Sequence, residues 1–183
     1  MDQEKIEKLA KQLLIEIGED PQREGLKKTP KRIAKSFEKL FGGYNKDPKD
    51  LLTEFDGENY DEMIICKNID FYSTCEHHMQ PFFGTVQIGY VPDKKIIGIS
   101  KLPRIVEIFS RRMQNQERLT MQIAQTLNEL LKPKGVGVVI EARHLCMLAR
   151  GVEKQNATMS TSSFTGIFKK KTKTRSEFLR LIT

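Results

Sequence analysis

The stretch Ser73-Thr74-Cys75-Glu76-His77-His78-Met79-Gln80-Pro81-Phe82-Phe83-Gly84-Thr85-Val86-Gln87-Ile88-Gly89-Tyr90 decides how the chain is read. Its second half alternates. Val86, Ile88 and Tyr90 share one face of an extended segment and Thr85, Gln87 and Gly89 the other, the period-two signature of a β-strand. Upstream, Met63 to Thr74 is rich in Ile, Phe and Tyr and leads into the turn as a further β segment. Between them, Cys75, His77 and His78 place one thiol and two of the chain's three histidines within four positions. Thiolate and imidazole are ligands that Zn²⁺ prefers, and a turn can wrap Cys75-x-x-His78 around a tetrahedral ion.

Working outward, Pro92-Asp93-Lys94-Lys95 reads as a hairpin turn returning through Ile96 to Ile99. Ser100 is placed to cap a helix with a buried stripe of Leu102, Ile105, Val106, Phe109 and Met113. A second helix carries Leu119, Ile123, Leu127, Leu130 and Leu131 and stops before Pro133 and Gly135. Val136 to Met147 and Thr158 to Phe168 read as strands, and Thr174-Arg175-Ser176-Glu177 as a capping box opening a last helix. On the N-terminal side, Ile6, Leu9, Ala10, Leu13, Leu14 and Ile17 recur at helical spacing until Gly18. Thr29-Pro30 then reads as an N-cap and first helical residue, with Ile33, Ala34, Phe37, Leu40 and Phe41 facing inward and Gly42-Gly43 ending the helix. Residues 45–61, acidic and broken by Pro48 and Gly57, read as linker with one short turn of helix. The pattern predicts an α+β fold with an antiparallel β-sheet packed by helices, preceded by an N-terminal helical segment.

The 183 residues suffice for a sizeable core without disulfides, and three cysteines, two of them beside histidines, do not make a disulfide framework. The first residues lack the apolar core of a signal peptide and no apolar run is long enough to span a bilayer, so a soluble, cytoplasmic protein is expected. A net charge of +7 and a pI near 9.3 favour an anionic partner, either nucleic acid or a phosphorylated small molecule.

His144, the third histidine, lies two residues before Cys146; on a strand, both would project from one face. Cys75, His77, His78, His144 and Cys146 together exceed the four ligands of a tetrahedral ion, so at least one imidazole is left over. Spacing alone leaves a closed structural zinc and an open catalytic one both standing. Two adjacent histidines favour catalysis, because neighbouring side chains rarely face one ion and the spare is then placed to move protons.

Five separated motifs carry a resemblance. Cys75-Glu76-His77-His78, Gly98-Ile99-Ser100-Lys101-Leu102-Pro103-Arg104-Ile105-Val106, Gln116-Glu117-Arg118-Leu119-Thr120, His144-Leu145-Cys146 and Ala149-Arg150-Gly151 together resemble the GTP cyclohydrolase I family. The likeness runs in order from about Leu9 to Leu181, including Thr29-Pro30-x-Arg32-Ile33-Ala34 near the front and Thr174-Arg175-x-Glu177-Phe178-Leu179 near the end. It implies a tunnelling fold over residues 61–183, with residues 1–60 as N-terminal helical segment and linker. It also implies that GTP is opened at carbon 8 of its imidazole ring, with release of formate and formation of 7,8-dihydroneopterin triphosphate.

On this resemblance, Zn²⁺ falls on Cys75, His78 and Cys146, with the fourth position open to water. His144 matches the donor of a proton to nitrogen 7, His77 a second proton-transfer residue, and Ser100 a residue assisting the later ribose rearrangement. Glu117 matches the carboxylate that accepts from the guanine ring, with Gln116 beside it. By itself Glu117 would read as an acid favoured by the helix dipole. Arg150, Arg104, Lys101, Arg32 and Lys35 match phosphate contacts, although by spacing alone Arg32 and Lys35 are a solvated helix face. The family's active sites lie at subunit interfaces, which implies a homo-oligomer, in the family a decamer.

Cys66 reads as a core or half-buried residue without a metal role, Arg143 as pointing away from His144, and Lys169-Lys170-Lys171 as a solvated turn. A nucleic-acid module with a structural zinc would account for the charge but lacks interleaved exposed aromatics and an arginine-rich stripe. Other tunnelling-fold enzymes, such as nitrile reductases and pterin synthases, lack Cys-x-x-His combined with His-x-Cys.

Overall fold

The computed structural model describes residues 1–51 and 53–183, which divide into two compact units, Met1–Gly42 and Gly43–Thr183. In the first unit, α1 (Gln3–Glu16) is capped by the Asp2 carboxylate, which accepts from the Lys5 amide at 3.0 Å. It packs on α2 (Thr29–Leu40), burying Ala10, Leu14, Pro30 and Ala34. A two-helix unit offers each helix only one partner face. The expected stripe of α1 is accordingly only partly buried, with Leu9, Leu13 and Ile17 left 70%, 58% and 65% exposed. Thr29 is already helical and does not cap, because its hydroxyl bonds back to the Gly25 carbonyl at 3.4 Å.

The second unit begins earlier than the expected boundary at residue 61. Gly43 donates to the Arg111 carbonyl at 3.0 Å, and Arg112 donates to the Gly43 carbonyl at 2.9 Å. The segment expected to be linker forms two 3₁₀ turns, Gly42–Asn45 and Pro48–Leu51, and strand β1 (Glu54–Asp56). The main sheet has five strands: β2 (Ile64–Cys75), β3 (Pro81–Val91), β5 (Met113–Gln114), β6 (Gly135–His144) and β7 (Met159–Phe164). Their order is β5-β2-β3-β6-β7, antiparallel except for the parallel β2–β5 pair.

Strand β4 (Lys95–Ile97) does not return onto β3 as the hairpin reading expects, because β2 and β6 already occupy both edges of β3. It pairs with β1 instead, and the Ile97 amide donates to the Tyr90 hydroxyl at 3.2 Å. Helices α3 (Lys101–Ser110) and α4 (Gln116–Leu131) cover one face of the main sheet. Leu102, Ile105, Val106, Phe109, Leu119, Ile123 and Leu127 bury there against Val86, Ile88 and Tyr90. Met113 belongs to β5, not to the α3 stripe.

The chain after β6 forms a single helical turn, α5 (Leu145–Leu148), so the strand ends at His144 and Cys146 is not on it. After β7, helices α6 (Gly166–Lys170) and α7 (Thr172–Ile182) cover the other sheet face through Phe168 and Phe178. Gly89 and Gly137, partners across β3 and β6, make room for them, since an added Cβ would lie 2.7 Å and 2.8 Å from those rings. Thr174 and Glu177 fall inside α7, whose preceding residue is Lys171, so the expected capping box does not form.

A β-bulge interrupts β2: Cys66 pairs with Ile88 but Ile69 with Val86, one residue more on β2 than on β3. Asn68 takes a left-handed conformation there (φ 56°), and the Gln87 side-chain oxygen accepts its amide at 2.7 Å.

Candidate active site

Strand pairing explains why two distant segments meet. The turn between β2 and β3 carries Cys75 to Gln80; it is closed by Cys75 N–H to the Gln80 carbonyl at 2.8 Å and Met79 N–H to the Cys75 carbonyl at 2.9 Å. Phe82, just after that turn, pairs with His144 at the end of β6. The last residue of β6 and the α5 turn therefore lie at the same end of the sheet as the β2–β3 turn.

There, Cys75 Sγ, a nitrogen of His78 and Cys146 Sγ all come within 4.8 Å of one another, with Cys75 Sγ 3.8 Å from His78 Nδ1. Of the five candidate ligands, these three converge, although Cys146 arrives on a helical turn and not by strand alternation. A tetrahedral Zn²⁺ with ordinary Zn–S and Zn–N lengths needs a sulfur–nitrogen edge of about 3.6 Å, so the group fits such an ion. Burial, and then the neighbouring Cys75 thiol, push the Cys146 thiol up, while the Arg150 charge pulls it down. A thiol whose ionisation is disfavoured by burial and by a neighbouring thiol is a donor that a bound cation relieves.

His77 stands outside this group. Its Nδ1 is 3.9 Å from Cys75 Sγ, its Nε2 is 3.8 Å from a Glu76 carboxylate oxygen, and its side chain is 65% exposed. His144 is held separately. Its ring stacks on buried Phe82 with centroids 4.6 Å apart and planes 6° from parallel, and its Nε2 lies 2.8 Å from Gln116 Oε1. Burial pushes the His144 pKa below the usual imidazole range, and the Glu117 carboxylate partly opposes this.

Gln116, expected at the substrate, is 2% exposed, and its side-chain amide meets the Ile140 and Met159 carbonyls, Thr161 and His144. Glu117 is exposed in the first turn of α4. Arg118 and Asn115 hold the ligand turn by its acid: Arg118 and Asn115 Nδ2 both donate to the Glu76 carboxylate, the latter at 2.9 Å. The Glu76 amide donates to the Gln114 carbonyl at 2.9 Å. Arg118 first, and then Asn115, hold the Glu76 carboxyl below the usual carboxylate range against some burial. Arg118 lies in a quoted motif, but the sequence shows this role for neither it nor Asn115, because their partner lies 42 and 39 residues away.

Ser100 sits just before α3 in a helical conformation without capping it, and is exposed; Lys101 is half-buried and Arg104 exposed, lining a crevice with Lys46, Leu51, Glu107 and Ile108. Arg150 is exposed beyond α5. Arg32 and Lys35 are exposed on α2, in the first unit. Arg143 points away from His144 and donates to the Gln155 carbonyl. Cys66 is half-buried against the main core, and burial pushes its thiol up.

The sheet with helices on both faces, and a Cys–His–Cys group converging at one end beside a separately held imidazole, define an α+β protein with a site able to hold a metal. Sequence comparison narrows the class. The profile of GTP cyclohydrolase I matches residues 6–183. The GTP cyclohydrolase 1 of Campylobacter lari is 56% identical over 182 residues, covering 98% of this chain and 95% of that protein. Those of Wolinella succinogenes and Helicobacter pylori are 58% and 52% identical, covering 89% and 97% of this chain and 88% and 99% of theirs. The chain belongs to the GTP cyclohydrolase I family. A solved archaeosine synthase QueF-Like, in the apo form, covers 57% of this chain and 93% of its own at 15% identity and a TM-score of 0.46, so membership rests on the sequence relatives alone. Among the described residues, no helix is long and apolar enough to cross a membrane.

Proposed function

We propose that the chain hydrolyses the imidazole ring of GTP in a zinc-dependent reaction that releases formate and yields 7,8-dihydroneopterin triphosphate. The observation that carries this reading is the convergence of Cys75, His78 and Cys146 beside a histidine held outside the group, in a member of this family. Zn²⁺ held by those three residues supplies the Lewis acidity that makes a water molecule a nucleophile near neutral pH. Carbon 8 is a poor electrophile, so attack on it requires a proton at nitrogen 7, and His144 supplies it. His77, exposed beside the ligand turn, moves protons during ribose opening, and Ser100 assists the later rearrangement.

Glu117 accepts hydrogen bonds from the guanine ring and its amino group. Arg150, Arg104 and Lys101 bind the triphosphate, whose roughly four negative charges call for several cations, and on the family's pattern Arg32 and Lys35 are phosphate contacts as well. On the family's pattern the protein is a cytoplasmic homo-oligomer, a decamer, with active sites at subunit interfaces. The test is to incubate zinc-loaded protein with GTP and to measure formate together with neopterin fluorescence after oxidation and dephosphorylation. Both products are expected in equal amounts; metallated oligomer that makes neither refutes the reading.

A further inference from the structure

We propose that Gln116 is a positioning residue that holds His144 in its Nε2–H form, so that Nδ1 is the ring nitrogen through which His144 exchanges a proton with substrate. The second half of this role presupposes the proton-donor reading of His144 given above; the first half stands on hydrogen bonding alone.

The side-chain nitrogen of Gln116 faces three oxygens: the Ile140 carbonyl at 3.1 Å, the Met159 carbonyl at 2.9 Å and Thr161 Oγ1 at 3.0 Å. Carbonyl oxygens only accept, so this end of the amide must be the NH₂ group. The threonine hydroxyls close the assignment. Thr120 donates to the Gln116 main-chain carbonyl at 2.7 Å, which uses its one hydrogen. Thr161, 2.7 Å from Thr120 Oγ1, must then donate to Thr120 and accept from Gln116. Turning the amide over would press Oε1 against two carbonyl oxygens. Oε1 therefore faces His144 Nε2 at 2.8 Å, and because an amide oxygen accepts only, Nε2 carries the hydrogen.

The Phe82 stack holds the ring plane, and a ring turned over within that plane would set a carbon, Cε1, against Gln116 Oε1 and lose the hydrogen bond. With Nε2 committed to Gln116, the ring's exchangeable position is Nδ1. Once Nδ1 has taken a proton from solvent the ring is an imidazolium; when that proton passes to nitrogen 7 as hydroxide adds to carbon 8, the N–H bond breaks and its electron pair stays on Nδ1. The ring left behind is the neutral Nε2–H form that Gln116 already binds, so the transfer needs no rearrangement around it. Gln116 thus acts on the reaction through His144 and not through the substrate.

The chain's three histidines make the assignment directly readable. In intact, zinc-loaded protein with ¹⁵N-labelled histidine rings at alkaline pH, two-bond ¹H–¹⁵N correlations are expected to show His144 protonated at Nε2 and bare at Nδ1. Its signals are identified by their loss in His144→Ala. A proton on Nδ1, or a ring nitrogen bound to metal, overturns the proposal without need of any Gln116 variant. Kinetically, Gln116→Glu, kept as the neutral acid with its O–H toward the Ile140 and Met159 carbonyls, retains an acceptor for Nε2–H, and Gln116→Met does not. Gln116→Met is expected to lose about tenfold to a hundredfold in kcat with KM for GTP nearly unchanged, and Gln116→Glu to recover part of that loss. A raised KM with unchanged kcat would instead mark Gln116 as a substrate contact and overturn the positioning role. Protein that opens no GTP yet shows the Nε2–H pattern sinks the proton-transfer half together with the proposed function, and leaves the tautomer assignment standing.

Discussion

Replacing Cys146 by Ala removes one of three converging donors and should abolish the coupling between zinc and folding stability. Cys75 Sγ and His78 Nδ1 stand 3.8 Å apart, against about 3.6 Å for the matching edge of a tetrahedral zinc site, and Cys146 Sγ lies within 4.8 Å of both. With free zinc at about one hundred times its dissociation constant, linkage adds about 2.7 kcal/mol to stability. For a chain of this size each kcal/mol moves the melting midpoint by about 2–4 °C, so a chelator should lower the wild-type midpoint by about 5–11 °C. In Cys146→Ala the melts with and without chelator should coincide, and zinc per chain measured by elemental analysis should fall well below one equivalent. Cys146 is only half-buried, so the chelated variant should melt close to the chelated wild type. A Cys146→Ala protein that keeps a full equivalent of zinc and still responds to chelator would refute the assignment of this side chain as a ligand.

His144→Ala should keep its zinc and lose about 10²- to 10⁴-fold in ring opening, measured as formate release; loss of zinc in this variant would show that His144 is a ligand. Glu117→Ala should leave metal content unchanged and erode the preference for GTP over ATP by tenfold or more, which competition binding would read; undiminished discrimination excludes the guanine contact. Arg118→Met releases the Glu76 carboxylate and with it the anchor of the ligand turn, so zinc affinity measured against a competing chelator should fall about tenfold to a hundredfold. Unchanged affinity would mean that the Cys75–His78 turn holds its shape without that anchor.

What the sequence made legible follows the range of the interactions involved. The alternation of Val86, Ile88 and Tyr90 is local, and those three side chains fill the main core. The stripes of α3 and α4 are equally local, and they bury as expected apart from Met113, which lies in β5, and Leu130, which is half-buried. The Cys75, His78 and Cys146 set came from a motif resemblance, and the structure brings those three donors together. The path by which Cys146 gets there was misjudged, because apolar periodicity cannot tell the end of a strand from the start of a single helical turn. The hairpin after Tyr90 failed for a non-local reason: turn chemistry specifies a reversal, but the occupied edges of β3 decide where the returning strand can pair. Gln116 is expected at the substrate because it adjoins Glu117. Its side-chain partners within the fold, Ile140, His144, Met159 and Thr161, are 24 to 45 residues away, and no window on the sequence reaches them.

The bulge in β2 acts as a phase switch. Before it, Ile64 and Cys66 pack against the main core and Ile65 against the smaller cluster on the far face; after it, Ile69, Phe71 and Cys75 face the main core. Even positions point inward on one side of Asn68 and odd positions on the other. An unbroken strand that kept Ile64 and Cys66 in the core would carry the Cys75 thiol to the opposite face, away from Cys146. The bulge between Cys66 and Ile69 is therefore as much a part of the metal group as the donors are. A family member that dropped the extra residue would pair β2 with β3 in plain alternation and still face Cys75 inward, whereas one that kept the residue and lost the bulge would turn the thiol away.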